Sequence, residues 1–448
     1  MARRSVTFGC VVALAMAGRA GAQPAPVQPP PVSLTLDEAV ARAATSAPRL
    51  AEAQARVNAA DAGIVSREAA GRPAATTSAA YQRTNHVIPF GFSSAAGGLT
   101  EVFPDVPDNY RVRGEITFPI YTGGRVEAAV EAARADARAA EGDRRAVAAD
   151  VAFDVTRAYW TLTLARDRVR VLTEARARAD AVVSDVRARV DTGVLPPNEL
   201  QSAQVQRARQ NVAVIQADND VSAAEAELAR LTGLPPGQRI LTTTPVDRPA
   251  AAIGQSSTEA LIARAREQRA ERTSLVERAS SFRAQATAAR AGLRPQVAAL
   301  ASIEPTRPNP RFVPRADEWK TSWDVGVNVM WPIFDGGKAR AGAAAAEAQA
   351  AAAEARLADF DAAVALDVRQ RLLDIASTNA AIEASGEAVT AATEARRVLD
   401  ERFAAGVATT TDVLDAQVAL LEAQLERTRL LTSLRLSEAR LIRTVGGG

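Results

Sequence analysis

Residues 118–136 read FPIYTGGRVEAAVEAARAD, and residues 331–349 read WPIFDGGKARAGAAAAEAQ. Each time an alternating aromatic stretch breaks through proline and a Gly-Gly pair into a long alanine-rich run. The two stretches lie 213 residues apart, and the correspondence holds without a gap from Phe118 to Gly233. Pro119 meets Pro332, Gly123-Gly124 meets Gly336-Gly337, and Gly193-Val194 meets Gly406-Val407. Upstream the shift becomes 222, pairing Arg72-Pro73 with Arg294-Pro295. The extra nine residues therefore fall between Pro73 and Pro119. Length changes collect in surface loops, so each copy should carry a variable loop there. The chain reads as one plan written twice.

Within a copy, three kinds of element follow from periodicity. RVRGEITFPI at 111–120 and SWDVGVNVMW at 322–331 alternate apolar and polar residues, the signature of a strand with one apolar face. Partner strands near 74–83 and 296–304 alternate more weakly. Between the partners lie GFSSAAGGLTEVFPDVPDN and PTRPNPRFVPRADE, loop-like through Gly, Pro and Asn. Next comes a very long helix, about 122–191 in the first copy and 335–404 in the second, with no interior proline. Apolar positions from Val151 to Val190, and more loosely from Val364 to Phe403, step by fours and threes as in a heptad seam. About 70 residues at ~1.5 Å each span roughly 105 Å. A short turn, DTGVLPPNEL or AAGVATTTDVL, then leads into a return helix, about 198–231 and 411–444. Shorter helices near 37–70 and 258–292 precede the strands. The copies thus occupy 23–240 and 257–448, with a linker at 241–256.

The first residues, MARRSVTFGCVVALAMAGRAGAQ, predict a secretory signal peptide over 1–22, cleaved after Ala22. Cys10, the only cysteine, lies too near the start of the apolar stretch for a lipid-attachment site. The sequence pI of about 9.0 misleads, because losing Arg3, Arg4 and Arg19 leaves 51 basic against 52 acidic residues. Arg alternates with Asp and Glu, as in RARADAVVSDVRARVD, which describes solvated helix faces and not a phosphate-binding stripe, so nucleic acid is excluded as a partner. Of 19 aromatic residues, 12 fall within 81–121 and 312–334, which leaves the helical stretches almost bare of rings. That composition suits close-packed helices in an elongated body.

Four strands with one apolar face cannot stand alone in a bilayer, since only helices and closed barrels span, and the mature sequence has no apolar run long enough for a spanning helix. Barrels need ~8 strands or more, so the strands must be pooled: two chains supply eight, three supply twelve. Tryptophans at 323 and 331 fit an aromatic girdle at a membrane interface. Each Pro and Gly-Gly corner (Pro119, Gly123, Gly124; Pro332, Gly336, Gly337) is then where a barrel strand turns into a helix.

The LTLDEAVARA opening, the duplicated strand-strand-helix-helix plan, both Gly-Gly corners, and the turns TGVLPPNELQSAQ and AAGVATTTDVLDAQ resemble the TolC-like outer-membrane efflux proteins over nearly all of the mature chain. The resemblance implies a membrane α+β fold: a homotrimeric twelve-stranded β-barrel, four strands per subunit, in outer-membrane lipid, continued by an α-helical coiled-coil tunnel across the periplasm. It implies an exit duct for a tripartite efflux pump or type I secretion system, with a periplasmic adaptor and an inner-membrane pump or ABC exporter as partners. Adaptor contact is expected on the turns at Gly193, Val194, Leu195, Gly406 and Val407. Asp412 and Asp415 are expected at acidic rings lining the periplasmic constriction. Three residues apart, they share one helix face. Phe403 stands where the family's tyrosine would bond to an acidic residue, here Glu199, and Ala408 stands where its arginine would lock the closed state. Phe403 has no hydroxyl to donate, so closure should rest more on packing. The plainer reading of Asp412 is a helix cap.

An enzyme is disfavoured. His86 is the only histidine and lies in a loop, so neither a histidine acid/base pair nor a His/Cys metal cluster can be assembled. DGGK at 335–338 lacks the glycine spacing and following Ser/Thr of a phosphate loop. No cofactor or metal site is implied. A secreted or periplasmic coiled-coil scaffold would explain the heptads and signal peptide, but not alternating strands flanked by tryptophans in both copies.

Overall fold

The structure is a computed structural model that describes residues 30–93, 97–247 and 256–447. The expected signal peptide with Cys10, and linker residues 248–255, lie outside the described residues.

The chain runs β1 (Val32–Leu34), α1 (Leu36–Ser46), α2 (Pro48–Ala69), β2 (Ala74–Arg83), β3 (Phe90–Ser93), β4 (Leu99–Phe103), β5 (Asp108–Tyr121), α3 (Arg125–Asp191), α4 (Pro197–Thr232) and β6 (Ile240–Thr242). It continues with α5 (Thr258–Gln268), α6 (Ala270–Arg290), β7 (Gln296–Arg307), β8 (Lys320–Met330), α7 (Lys338–Ala404) and α8 (Thr410–Thr444). α3 and α7 are each 67 residues long, roughly 100 Å of helix.

β2, β5, β7 and β8 form one antiparallel sheet in the order β2-β5-β7-β8. Period two separates its faces. Ile116, Phe118, Trp323, Val325, Val327 and Val329 stand exposed on one. The other carries Arg113, bonded to Glu115 at 2.7 Å and Glu304 at 3.1 Å, and Ser302, which donates to Asp324 at 2.7 Å. β3 and β4 pair as a hairpin inside the first loop. The sequence predicts only loop there, because four- and five-residue strands broken by a bulge carry too little alternation to read.

Below the sheet the helices lie side by side: α2 and α6 against α3, α6 against α7, α4 against α3, and α8 against both α7 and α3. The largest core gathers around Tyr159 and Trp160 of α3, with Leu34, Ala39, Leu228 and Ile240. The Tyr159 hydroxyl donates to Leu34 O at 3.0 Å and accepts from Thr243 and Thr244 N, each at 2.9 Å. It thereby anchors β1 and β6, a parallel pair of three-residue strands. Leu241 and Thr242 of the expected linker are thus built into the fold.

Each short preceding helix is broken in two, where the sequence predicts one. Ala47 is extended (φ −71°, ψ 120°) because a residue before proline avoids the helical region. Arg269 takes nearly the same backbone (φ −68°, ψ 121°) with no proline after it. Tertiary contacts hold it: its guanidinium lies 5.0 Å from the Phe360 ring centroid and bonds Glu271 at 3.2 Å. Glu271 also receives Arg443 from the end of α8, and Arg443 bonds Asp150 of α3 at 2.7 Å.

Candidate functional site

The residues singled out from the sequence lie at the two ends of the long helices. At the sheet end, the first corner turns on Gly123 (φ 67°) and Gly124 (φ 83°), the second on Gly336 (φ 69°) and Gly337 (φ 88°), a left-handed backbone that side chains rarely adopt. Gly123 is buried, with no room for a side chain. A Cβ there would meet Arg294 Cβ at 2.7 Å, and Arg294 Nη1 donates to Gly123 O at 3.1 Å. Gly336 faces open space. The second corner is capped instead by Asp335, whose carboxylate accepts from Gly337 N at 2.9 Å and Ala339 N at 2.7 Å. Pro119 sits within β5 where the register slips against β7, and Pro332 follows the end of β8.

At the far end, α3 closes on Gly193 (φ 74°) and α7 on Gly406 (φ 77°). The backbone N–H of Val194 reaches Arg189 O at 2.8 Å, and that of Val407 reaches Arg402 O at 2.9 Å. Val194 and Val407 are left 67% and 65% exposed, one apolar side chain at each tip. Leu195 points inward and packs on the small core of Val186, Phe403 and Val413.

Phe403 is 6% exposed in that core, beside Leu200 and Ala408. It is also held by a residue that the sequence reading passes over. Arg189 of α3 places its guanidinium 4.4 Å from the Phe403 ring centroid, and its Nη1 donates to Phe403 O at 2.9 Å. A third contact, to Asp185 at 3.3 Å, fixes the arginine on its own helix. The available signal was position: Arg189 is the basic residue in the last turn of α3. Glu199 is half-buried at the start of α4, and no described contact joins its carboxylate to Phe403.

Asp412 and Asp415 are both exposed at the start of α8. Asp412 closes a capping box: its carboxylate accepts from Thr409 N at 2.8 Å and Thr409 Oγ1 at 2.7 Å, while its own N–H donates to Thr409 Oγ1 at 3.2 Å. The bond from the Thr409 backbone, then that from its hydroxyl, holds the Asp412 carboxyl below the usual range. Asp415 has no hydrogen bond or ion pair among the described residues. Among the described residues no group of three or more His, Cys, Asp or Glu could hold a metal ion, and no helix is long and apolar enough to cross a membrane.

An open antiparallel sheet joined by two glycine corners to helices of ~100 Å is the architecture of the TolC-like channel-tunnels. The structure of the outer-membrane channel OprN is 20% identical to this chain, with a TM-score of 0.77 over 92% of this chain and 90% of that one. The outer membrane protein VceC from Vibrio cholerae is 21% identical, with a TM-score of 0.75 over 92% and 96%. The open state of the Neisseria gonorrhoeae MtrE outer membrane channel is 18% identical, with a TM-score of 0.71 over 92% and 89%. At such identities the likeness establishes the fold.

The sequence profile of the outer membrane efflux proteins matches residues 39–234 and 259–447, and the chain belongs to that family. It is an efflux protein of the outer membrane that extends into the periplasm, and its family is one of channels, not enzymes. The scaffold reading is set aside on this ground. No curated protein matches the chain significantly.

Proposed function

We propose that the chain is the internally duplicated protomer of a homotrimer that serves as the exit duct of a tripartite efflux pump. The observation that carries this reading is the open sheet. Its four strands alternate in direction, so the free edges of β2 and β8 run antiparallel to each other. β8 of one copy can pair with β2 of the next, and head-to-tail closure of three copies makes a twelve-stranded barrel. Closure removes the unpaired edges that hydrocarbon forbids, places the Trp323–Val329 face against lipid, and turns the Arg113–Glu304 face into the lumen.

α3, α4, α7 and α8 would form the tunnel wall. Val194 and Val407, with Gly193 and Gly406, would meet a periplasmic adaptor linked to an inner-membrane pump, and Leu195 would support the first tip from within. The core around Phe403 would hold the periplasmic end closed. Asp412, Asp415 and Glu199 would line the mouth and concentrate cations there. The protein purified in detergent, free of residues 1–22, is expected to run as a trimer and conduct in planar bilayers. Val194→Asp with Val407→Asp should abolish export in cells and leave trimer and conductance intact. A monomer extracted by buffer alone would sink the proposal.

A further inference from the structure

The two helical hairpins differ in chemistry at the level of Gly386. Under the shift of 213, Ser385, Gly386 and Arg427 correspond to Leu172, Thr173 and Val214. In the first hairpin Leu172 and Val214 are buried in a core that joins α3 to α4, with Ala175, Ala217 and Leu421. In the second, the same level is polar. Ile382 O, the acceptor for the helical N–H of Gly386, also receives Ser385 Oγ at 2.7 Å and Arg427 Nη1 at 3.4 Å. Arg427 makes no ion pair among the described residues, and its guanidinium lies over the glycine: a Cβ on Gly386 would stand 2.8 Å from Arg427 Nη1.

From this contrast we infer that α7 carries a pivot at Ser385-Gly386, served by Arg427, that α3 lacks. Bending a helix lengthens an i to i−4 bond, and the cost is the acceptor left without a donor. Here the bond at risk ends on Ile382 O, which already holds two further donors. Glycine removes the side chain that would stiffen this turn, and Arg427 stands here in the place that the buried Val214 takes in the first hairpin. Gly386 lies 18 residues before the end of α7, so a bend of about 10° there would carry Phe403 roughly 5 Å. The pivot rests on the reading of that end as a gate, which it supplies with its moving part.

Single-channel recording in planar bilayers tests it with three proteins: the parent, Gly386→Ala, and the triple variant Ser385→Leu, Gly386→Thr, Arg427→Val, which copies the first hairpin. The alanine variant should lower open probability about fivefold, the factor that corresponds to the glycine-alanine difference in helix interiors. The triple variant should lower it tenfold or more. Full open conductance should be unchanged in both. Only the far end of Arg427 must move to admit the alanine methyl, so that variant decides alone if the triple one fails to assemble. Parent-like opening in an intact Gly386→Ala trimer overturns the pivot. A parent that conducts without opening and closing overturns the gate reading itself.

Discussion

Arg189 and Phe403 lie 214 residues apart in the chain and are joined twice, by a guanidinium 4.4 Å from the ring centroid and by a hydrogen bond of 2.9 Å to the carbonyl. The link ties the end of α3 to the end of α7. It takes nothing from the phenylalanine that a hydroxyl would supply, because the ring offers its π face and the backbone its oxygen. On the proposed reading of this end as a gate, closure would rest on a polar contact as well as packing.

Arg189→Ala removes both contacts. A cation–π pair of about 1 kcal/mol and a charge-assisted hydrogen bond of about 1.5 kcal/mol sum to about 2.5 kcal/mol, an increase of up to roughly seventyfold in the open fraction at rest. Arg189→Lys keeps the charge but loses the planar stack, and should fall between. Resting conductance in planar bilayers measures both, and an unchanged Arg189→Ala channel would refute the clasp.

Multivalent cations added from the periplasmic side should block the channel, and Asp412→Ala with Asp415→Ala should relieve the block. The two residues are not equivalent. Thr409 occupies the Asp412 carboxylate while that of Asp415 is uncommitted, so Asp415→Ala alone should relieve more of the block than Asp412→Ala alone. The capping role of Asp412 has a pH sign. Its carboxyl titrates below the usual range in the folded protein, so the cap stabilises α8 at neutral pH and is lost as pH falls through that lowered value. Block titrations across the three variants check the order.

Glu271 offers a second pH test, away from the tip. Burial would raise its carboxyl, but hydrogen bonds from Arg443 and Arg269 outweigh it and bring the pKa down to about 2. A lowered carboxyl stabilises the fold above its unfolded value of about 4.5, and that stability is lost as pH falls from there towards 2. Allowing for solvent screening, Glu271→Gln should cost about 1–2 kcal/mol at pH 7. Thermal melting of parent and variant should differ at pH 7 and converge near pH 2.

The two corners should respond unequally to alanine. Gly336→Ala meets open space and costs only the left-handed backbone, about 1 kcal/mol. Gly123→Ala adds a contact of 2.7 Å to Arg294 Cβ, an atom fixed to the backbone. The first variant should assemble with a small loss of thermal stability, and the second should lose assembled channel altogether. Equal yields would contradict the close packing of the first corner.

The sequence by itself determined the family, the outer-membrane location and the class of function. The strands, the long helices and the duplication follow from patterns carried by neighbours in the chain: the alternation through Trp323, Val325, Val327 and Val329, the heptad steps from Val151 to Val190, and a corner repeated at 213 residues. The family, location and function follow from the resemblance that the order and motifs of these elements bear to the TolC-like proteins. Periods of two and three and a half residues are local properties of backbone geometry, so they survive without knowledge of the fold. Only the tertiary structure decided the break at Arg269, which has no proline to announce it and depends on Phe360 and Glu271. It alone paired Val32–Leu34 with Ile240–Thr242, since three residues hold too little alternation to read. It alone brought Arg189 to Phe403 and showed Asp412 engaged by Thr409 where Asp415 is not. A contact between distant residues depends on which helix faces meet, and that is settled by the packing of whole helices, not by the spacing within any one of them.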